Sequence, residues 1–338
     1  MNKFLTLAVA QRRSIFEQTA VRKHLPVRAV EKDFWVTEIL NILSLLPYAD
    51  KIVFKGGTSL SKVWNVIKRF SEDIDIVVDR SLFGIEGDVT KKQLKKLRKE
   101  SSLFVRDTLV QDLIFAIEKV GLSEFFTVIP DPDGEGDAMY PEPRQIHVFY
   151  QSVFPIEHNV YLRDEVLLEV GARSLFEPTA IAKVESFVTE MFPHLTSRNL
   201  GTHVVVAVAE KTFLEKAFLL HELFSTDGCQ NANRKSRHLY DLYKMIEIGI
   251  VDKAISNDNL WEAIRHHREI FTPVRDVDYS WDVRSRICLL PPEKVRSEWR
   301  KDYESMVENM IYDDVVPSFD QIIEAMKQLQ NAFQQSLL

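Results

Sequence analysis

Gly56 and Gly57 separate a short apolar run, Lys51 to Phe54, from a stretch of helical periodicity that opens at Thr58. Two glycines allow a backbone to approach a ligand closely, and the amides at the start of a helix favour an anion. The turn is a candidate phosphate cradle, although Gly-Gly between a strand and a helix is at least as often a plain tight connection. A P-loop is excluded, because the Lys-Ser/Thr ending is missing and Lys62 lies one turn into the helix. Asp73 and Asp75 follow at i and i+2 in DIDIVVD, an alternation that predicts a strand with both carboxylates on one face. Such like charges repel, and a hard divalent cation with oxygen ligands relieves the repulsion, as in phosphoryl and nucleotidyl transfer. A lone Asp-x-Asp is more often two exposed aspartates on an edge strand. The balance reverses here, because aspartate is disfavoured in strands and a turn able to hold phosphates stands just upstream.

The elements that must position these groups follow from periodicity. Apolar residues at helical spacing from Lys3 to Leu46, broken near Pro26, predict two or three helices. A strand, a tight turn and a helix from Ser59 to Ile67 come next, followed by the Asp73–Asp79 strand. Asp88 to Glu118 predicts a charged helical stretch, with KKQLKKLRKE as a solvated face and an RNA-binding patch as the lesser alternative. Residues 130–143 form a Pro/Gly/Asp loop between strand-like Phe125–Ile129 and Gln145–Tyr150. The loop lacks calcium-loop spacing and is taken as a solvated hairpin tip. VLLEV within Val160–Val170 is a further strand, and the pattern turns helical from Phe176. The expected fold is α+β: a mixed β-sheet core with N-terminal helices over 1–175 and a mainly helical lobe over 176–338.

The chain has 338 residues, a hydrophobic fraction of 45% and a formal net charge of −7, so it is an ordinary folded protein whose overall field does not attract polyanions. Any nucleic-acid contact must be local. Cys229 and Cys288 are far apart in sequence and fit neither a zinc site nor a disulfide framework, which suits a reducing cytoplasm. No apolar run approaches membrane length, and the N-terminal segment reads as a helix. His147, His158, His203, His221 and His238 lack zinc-hydrolase spacing and are taken as surface or core residues, and no serine has a Gly-x-Ser-x-Gly setting. The aromatics from Trp261 to Tyr303 read as the core of the helical lobe, with an RNA-end or partner surface as the lesser alternative.

FKGGTSLSKVW followed by KRFSEDIDIVV resembles the signature of the AbiEii/AbiGii-type toxins, members of the DNA polymerase beta-like nucleotidyltransferase superfamily. The similarity is carried by Gly56, Gly57, Thr58, Leu60, Arg69, Ser71, Asp73 and Asp75, and EKDFWV at residues 31–36 is similar to the family's entry helix. In VLLEVGARS, Glu169 resembles the family's third acidic strand position; without that resemblance a carboxylate paired with Arg173 or another cation would be preferred. In AEKTFLEKAFLLHELF, Lys216 resembles a phosphate-contacting lysine. Lys211 lies about 140° away around the helix and reads as a surface ion pair. RHLYDL places Arg237 and Asp241 at i and i+4, ordinarily a plain helix-surface pair; the resemblance implies that Asp241 orients Lys216 and that Arg237 reaches a phosphate.

The resemblance implies a nucleotidyltransferase using Mg2+, with Mn2+ as an alternative, bound by Asp73, Asp75 and Glu169. Gly56, Gly57, Thr58, Lys62, Arg69, Ser71 and Arg237 would bind the nucleoside triphosphate, and Asp73, Asp75, Lys216 and Asp241 would act in catalysis. The acceptor implied is RNA, such as the transfer RNA 3′ end, in a bacterial toxin–antitoxin or phage-exclusion system. The antitoxin would be separately encoded and need not form a stable complex. The competing readings are a nucleotide- or protein-binding module that transfers nothing, and transfer onto a protein hydroxyl.

Overall fold

The computed structural model describes residues 3–71, 73–87, 89–155, 163–195 and 202–335, so His158 lies outside the described residues. The chain divides into two compact units, Met1–Val63 with Ser71–Ala207 and Trp64–Phe70 with Val208–Leu338.

The first unit is a mixed sheet with helices. Its elements in chain order are α1 (Val9–Lys23), α2 (Val27–Leu43), β1 (Ile52–Lys55), α3 (Gly56–Lys62), β2 (Asp73–Val78), α4 (Lys91–Phe104) and α5 (Val110–Lys119). They continue with β3 (Phe126–Pro130), β4 (Arg144–Tyr150), β5 (Glu165–Gly171), β6 (Thr179–Val184), α6 (Phe187–Met191) and β7 (Thr202–Ala207). The strand order is β3-β4-β5-β2-β1-β7-β6, with β2/β5 and β1/β7 parallel and the other pairs antiparallel.

Side-chain alternation splits this sheet into two unlike faces. Phe54, Ile74, Ile76, Val78, Ile146, Val148, Val166, Leu168 and Val170 are buried. The α2 side chain Trp35 stacks on Tyr150 with ring centroids 5.5 Å apart on the same side of the sheet. Burying each such side chain contributes about 1.5–3 kcal/mol, which fixes the register of the central strands. The opposite face carries the half-buried Asp73, Asp75, Gln145, His147, Leu167 and Glu169. Its far end is closed by Val53, Val77 and Ala207 against Phe176.

Three expectations are corrected. α3 starts at Gly56, whose positive φ makes the sharp change of direction after β1, and it ends at Lys62, so the helix does not reach Ile67. The sheet does not end near residue 175: β6 and β7 continue it, because β7 pairs with β1 and β6 with β7, and the units divide after Ala207. The acidic 130–143 loop is a hairpin tip, but not a merely solvated one. Arg144 donates to Asp131 O and Asp133, and Arg106 also binds Asp133.

The second unit holds α7 (Ala209–Phe224), α8 (Arg237–Glu247), α9 (Ile250–Ile255), α10 (Asp258–Phe271), α11 (Arg296–Asn309) and α12 (Phe319–Gln335). Trp261, Phe271, Trp299 and Tyr303 are buried as expected, whereas Trp281 is exposed. The segment before Ser71 belongs to this unit. Phe70 N donates to Met310 O, Tyr312 N donates to Lys68 O, and Arg69 bridges to Ile311. No helix among the described residues is long and apolar enough to cross a membrane.

Candidate active site

Asp75 lies directly opposite Glu169 on β5 and Lys55 on β1, and Glu169 lies opposite Gln145 on β4. Directly opposed residues share a face, so Gln145, Glu169, Asp75 and Lys55 form one row across four strands, with neighbours about 5 Å apart. Asp73 occupies the next row on the same face, opposite Leu167. Three carboxylates thus come from two parallel neighbouring strands. Gln145 Nε2 donates to Glu169 Oε1 at 2.7 Å, which fixes one oxygen of that carboxylate. Lys55 Nζ donates to Ser174 Oγ at 2.9 Å.

Gly56 is required by this arrangement. Its φ is +78°, and a Cβ there would stand 1.8 Å from Asp75 Oδ2. Thr58 Oγ1 donates to Asp73 O at 2.5 Å, so the start of α3 is tied to the main chain of β2. Replacing Gly56 by alanine is expected to lower activity at least about tenfold and to cost about 1–3 kcal/mol in denaturant unfolding, since both the positive φ and the Asp75 oxygen oppose a side chain. An active, equally stable Gly56→Ala protein would contradict the tight approach.

The donor set is chemically suited to magnesium, because Asp73, Asp75 and Glu169 offer only oxygens and crowd like charge on one sheet face. Among the described residues, no three acidic, histidine or cysteine side chains are gathered closely enough to grip an ion as they stand. The fit is one of donor type and shared face, and coordination would need side-chain rotation.

Lys62 differs from expectation. Its ammonium pairs with Asp33 Oδ1 at 2.5 Å and donates to Glu185 O at 3.1 Å, while Phe187 N donates to Asp33 Oδ2 at 2.8 Å. With the Lys62 side chain 5% exposed, these bonds lock α3 to α2 and leave it no open side toward a phosphate. Ser71 is half-buried just before β2.

A second constellation lies within the second unit. Asp241 on α8 is fully buried and receives Arg69 bidentately, Nε to Oδ1 at 2.6 Å and Nη2 to Oδ2 at 2.7 Å. Lys216 on α7 reaches Oδ2 of the same carboxylate at 2.8 Å. Burial acts to raise the Asp241 pKa, but the Arg69 guanidinium and Lys216 ammonium outweigh it and hold the carboxyl below the ordinary range. Burial, aided by Arg69 and Arg237, lowers the Lys216 pKa against the pull of Asp241. Arg69 is buried and bound on both sides, its Nη1 donating to Phe70 O at 3.0 Å, so it positions Asp241 rather than meeting a nucleotide directly. Asp241 is a buried anchor for two cations, not the surface partner suggested by helix spacing. Lys211 is fully buried, which overturns its reading as a surface ion pair.

Two neighbours were passed over in the sequence. His238 Nδ1 lies 3.4 Å from Lys216 Nζ, and burial with the nearby Lys216 and Arg237 charges keeps its pKa well below the usual value. The lowered pKa favours a neutral ring, which can accept from the Lys216 ammonium at Nδ1. Its place inside RHLYDL was the available signal. Gln145 had only strand alternation to mark it.

A family model described as "Nucleotidyl transferase AbiEii toxin, Type IV TA system" matches residues 38–325. That span includes every candidate residue from Gly56 to Asp241 and excludes EKDFWV at 31–36. No curated protein matches the sequence. Among solved structures, the chain is similar to MenT4, the nucleotidyltransferase toxin Rv2826c from Mycobacterium tuberculosis H37Rv, at 16% identity and a TM-score of 0.42, with 95% of this chain and 97% of that chain covered. It is also similar to JHP933 from Helicobacter pylori, at 13% identity and a TM-score of 0.39, with 91% of each chain covered.

Proposed function

Because the chain belongs to the nucleotidyl transferase AbiEii toxin family of type IV toxin–antitoxin systems, we propose that it is a magnesium-dependent enzyme that moves a nucleoside monophosphate from a triphosphate to an RNA hydroxyl. The observation that carries this reading is the row in which Asp75 stands beside Glu169, with Asp73 on the same face and Gly56 against the Asp75 carboxylate. Magnesium, or manganese in its place, would neutralise triphosphate charge and lower the pKa of the attacking hydroxyl when bound.

The chain's own residues do the positioning. Asp73, Asp75 and Glu169 supply the oxygen donors, and Gln145 fixes the Glu169 carboxylate. The backbone of Gly56 and Gly57, together with Ser71, would contact the phosphates. The Thr58 hydroxyl already holds Asp73 O, so its phosphate contact would come from its main chain. Lys216 and Arg237 would serve as phosphate-binding cations, with the Lys216 ammonium oriented by Asp241 and that carboxylate in turn by Arg69. The acceptor hydroxyl attacks the α-phosphorus in line, a bond to it forms as the bond to the bridging oxygen breaks, and pyrophosphate leaves. These substrates place the work in the cytoplasm, with growth arrest or phage exclusion as the outcome and a separately encoded antitoxin as the counterweight.

The test is incubation with each α-labelled nucleoside triphosphate, magnesium and total RNA. Label on RNA that vanishes with a chelator and returns with magnesium is the expected result. Label on protein would replace RNA by a protein hydroxyl, and tight nucleotide binding with no label anywhere would leave a binding module.

A further inference from the structure

The exposed basic charge of α4 is gathered on one side of the helix. Lys91, Lys92, Lys95, Lys96 and Lys99 are all exposed. At 100° per residue they occupy an arc of about 140° and about 12 Å of helix, forming one continuous stripe. Lys96 reaches Glu100 at 3.7 Å and Lys99 lies 5.5 Å from the Tyr140 ring centre. Lys91, Lys92 and Lys95 have no ion-pair partner among the described residues.

The helix is tied to the unit at several points. Thr90 and Gln93 close a capping box at its start. Leu97, Ser101 and Ser102 are buried. Arg98 Nε donates to Tyr140 O at 2.9 Å, and Ser102 Oγ accepts from Arg144 Nε at 3.0 Å. Arg144 is the residue before Gln145, whose side chain fixes Glu169. The helix is thus anchored to the strand end where the carboxylate row begins.

A chain of net charge −7 repels a polyanion unless a local patch compensates. We propose that the α4 stripe docks the phosphodiester backbone of a folded RNA acceptor. A membrane surface fits less well, since an interfacial helix needs an apolar face to insert, and Leu97 on the other side of α4 is already buried in the unit. The proposal rests on the reading of the enzyme as an RNA-modifying transferase, and deepens it by assigning the backbone contact.

Binding of fluorescent bulk transfer RNA to the full chain, with magnesium and no nucleotide, tests it over a range of salt concentrations. In Lys91→Glu/Lys92→Glu/Lys95→Glu the affinity is expected to fall at least about tenfold near 0.1 M salt, and the slope of log K against log salt to shrink by about 2 to 3. The corresponding triple arginine variant should retain both. Unchanged affinity and slope in the glutamate variant overturn the proposal, and so does wild-type binding to phosphatidylserine vesicles without binding to RNA. The transfer assay separates the two readings. RNA labelled equally well by the glutamate variant removes the stripe and leaves transfer standing, whereas stripe-dependent binding without label on RNA removes RNA as acceptor and leaves the stripe.

Discussion

Asp75→Ala is expected to lower nucleotide transfer at least about a thousandfold, equivalent to about 4 kcal/mol of transition-state stabilisation, while leaving the circular dichroism spectrum unchanged. Asp75 is the central member of the row, directly opposed to both Glu169 and Lys55. Removing it takes away one oxygen donor and splits Asp73 from Glu169. Because Asp75 is half-buried on the less covered sheet face, its loss leaves no large cavity, so folding should survive. Asp75→Asn discriminates further, since it keeps the size and loses the charge. If charge matters, asparagine should be nearly as inactive as alanine and should not recover with excess magnesium. Glu169→Gln should lose less, because one of its oxygens is already held by Gln145. Single-turnover transfer with saturating nucleotide reads all three, and an Asp75→Ala protein within tenfold of wild type would remove the carboxylate row from the mechanism.

Local chemistry was legible in the sequence and long-range pairing was not. The Asp73–Val78 strand, the β3–β4 hairpin and the Glu165–Gly171 strand each show alternation that side-chain burial imposes. Nothing local says that β5 runs parallel beside β2, yet that pairing sets Glu169 opposite Asp75. β6 and β7 were missed for different reasons. Thr179–Val184 is diluted by two alanines that read as helix, whereas Val204–Val206 is a β-branched run that should have been taken as a strand. Helical spacing made Asp241 look like a surface partner of Arg237. Its bidentate partner Arg69 is 172 positions away, and only the folded second unit reveals the buried anchor.

That anchor carries the largest expected effect on stability. Asp241→Ala should cost about 3–5 kcal/mol, because Arg69 and Lys216 would remain buried with no carboxylate to neutralise them. The arginine cannot turn outward cheaply, since its side chain is 2% exposed and its Nη1 is engaged by Phe70 O. Asp241→Asn should cost less, because a side-chain oxygen still accepts, but it loses the charge that both cations require. Arg69→Lys should also destabilise, since an ammonium cannot reproduce the forked pair. If loss of the carboxylate is the cause, Arg69→Met in the Asp241→Leu background should recover part of the stability lost in Asp241→Leu alone. Urea unfolding followed by tryptophan fluorescence suits the measurement, since Trp64, Trp261, Trp281 and Trp299 lie in the second unit and only Trp35 in the first. Acid supplies an independent check. The folded Asp241 pKa is depressed, so its stabilisation is complete above the ordinary aspartate value of about 3.9 and is lost progressively as pH falls below it. Wild type should therefore lose more stability between about pH 4 and pH 2 than Asp241→Asn, which has no proton to take up there. Parallel acid losses in the two proteins would mean that Asp241 is not the group whose protonation loosens this unit.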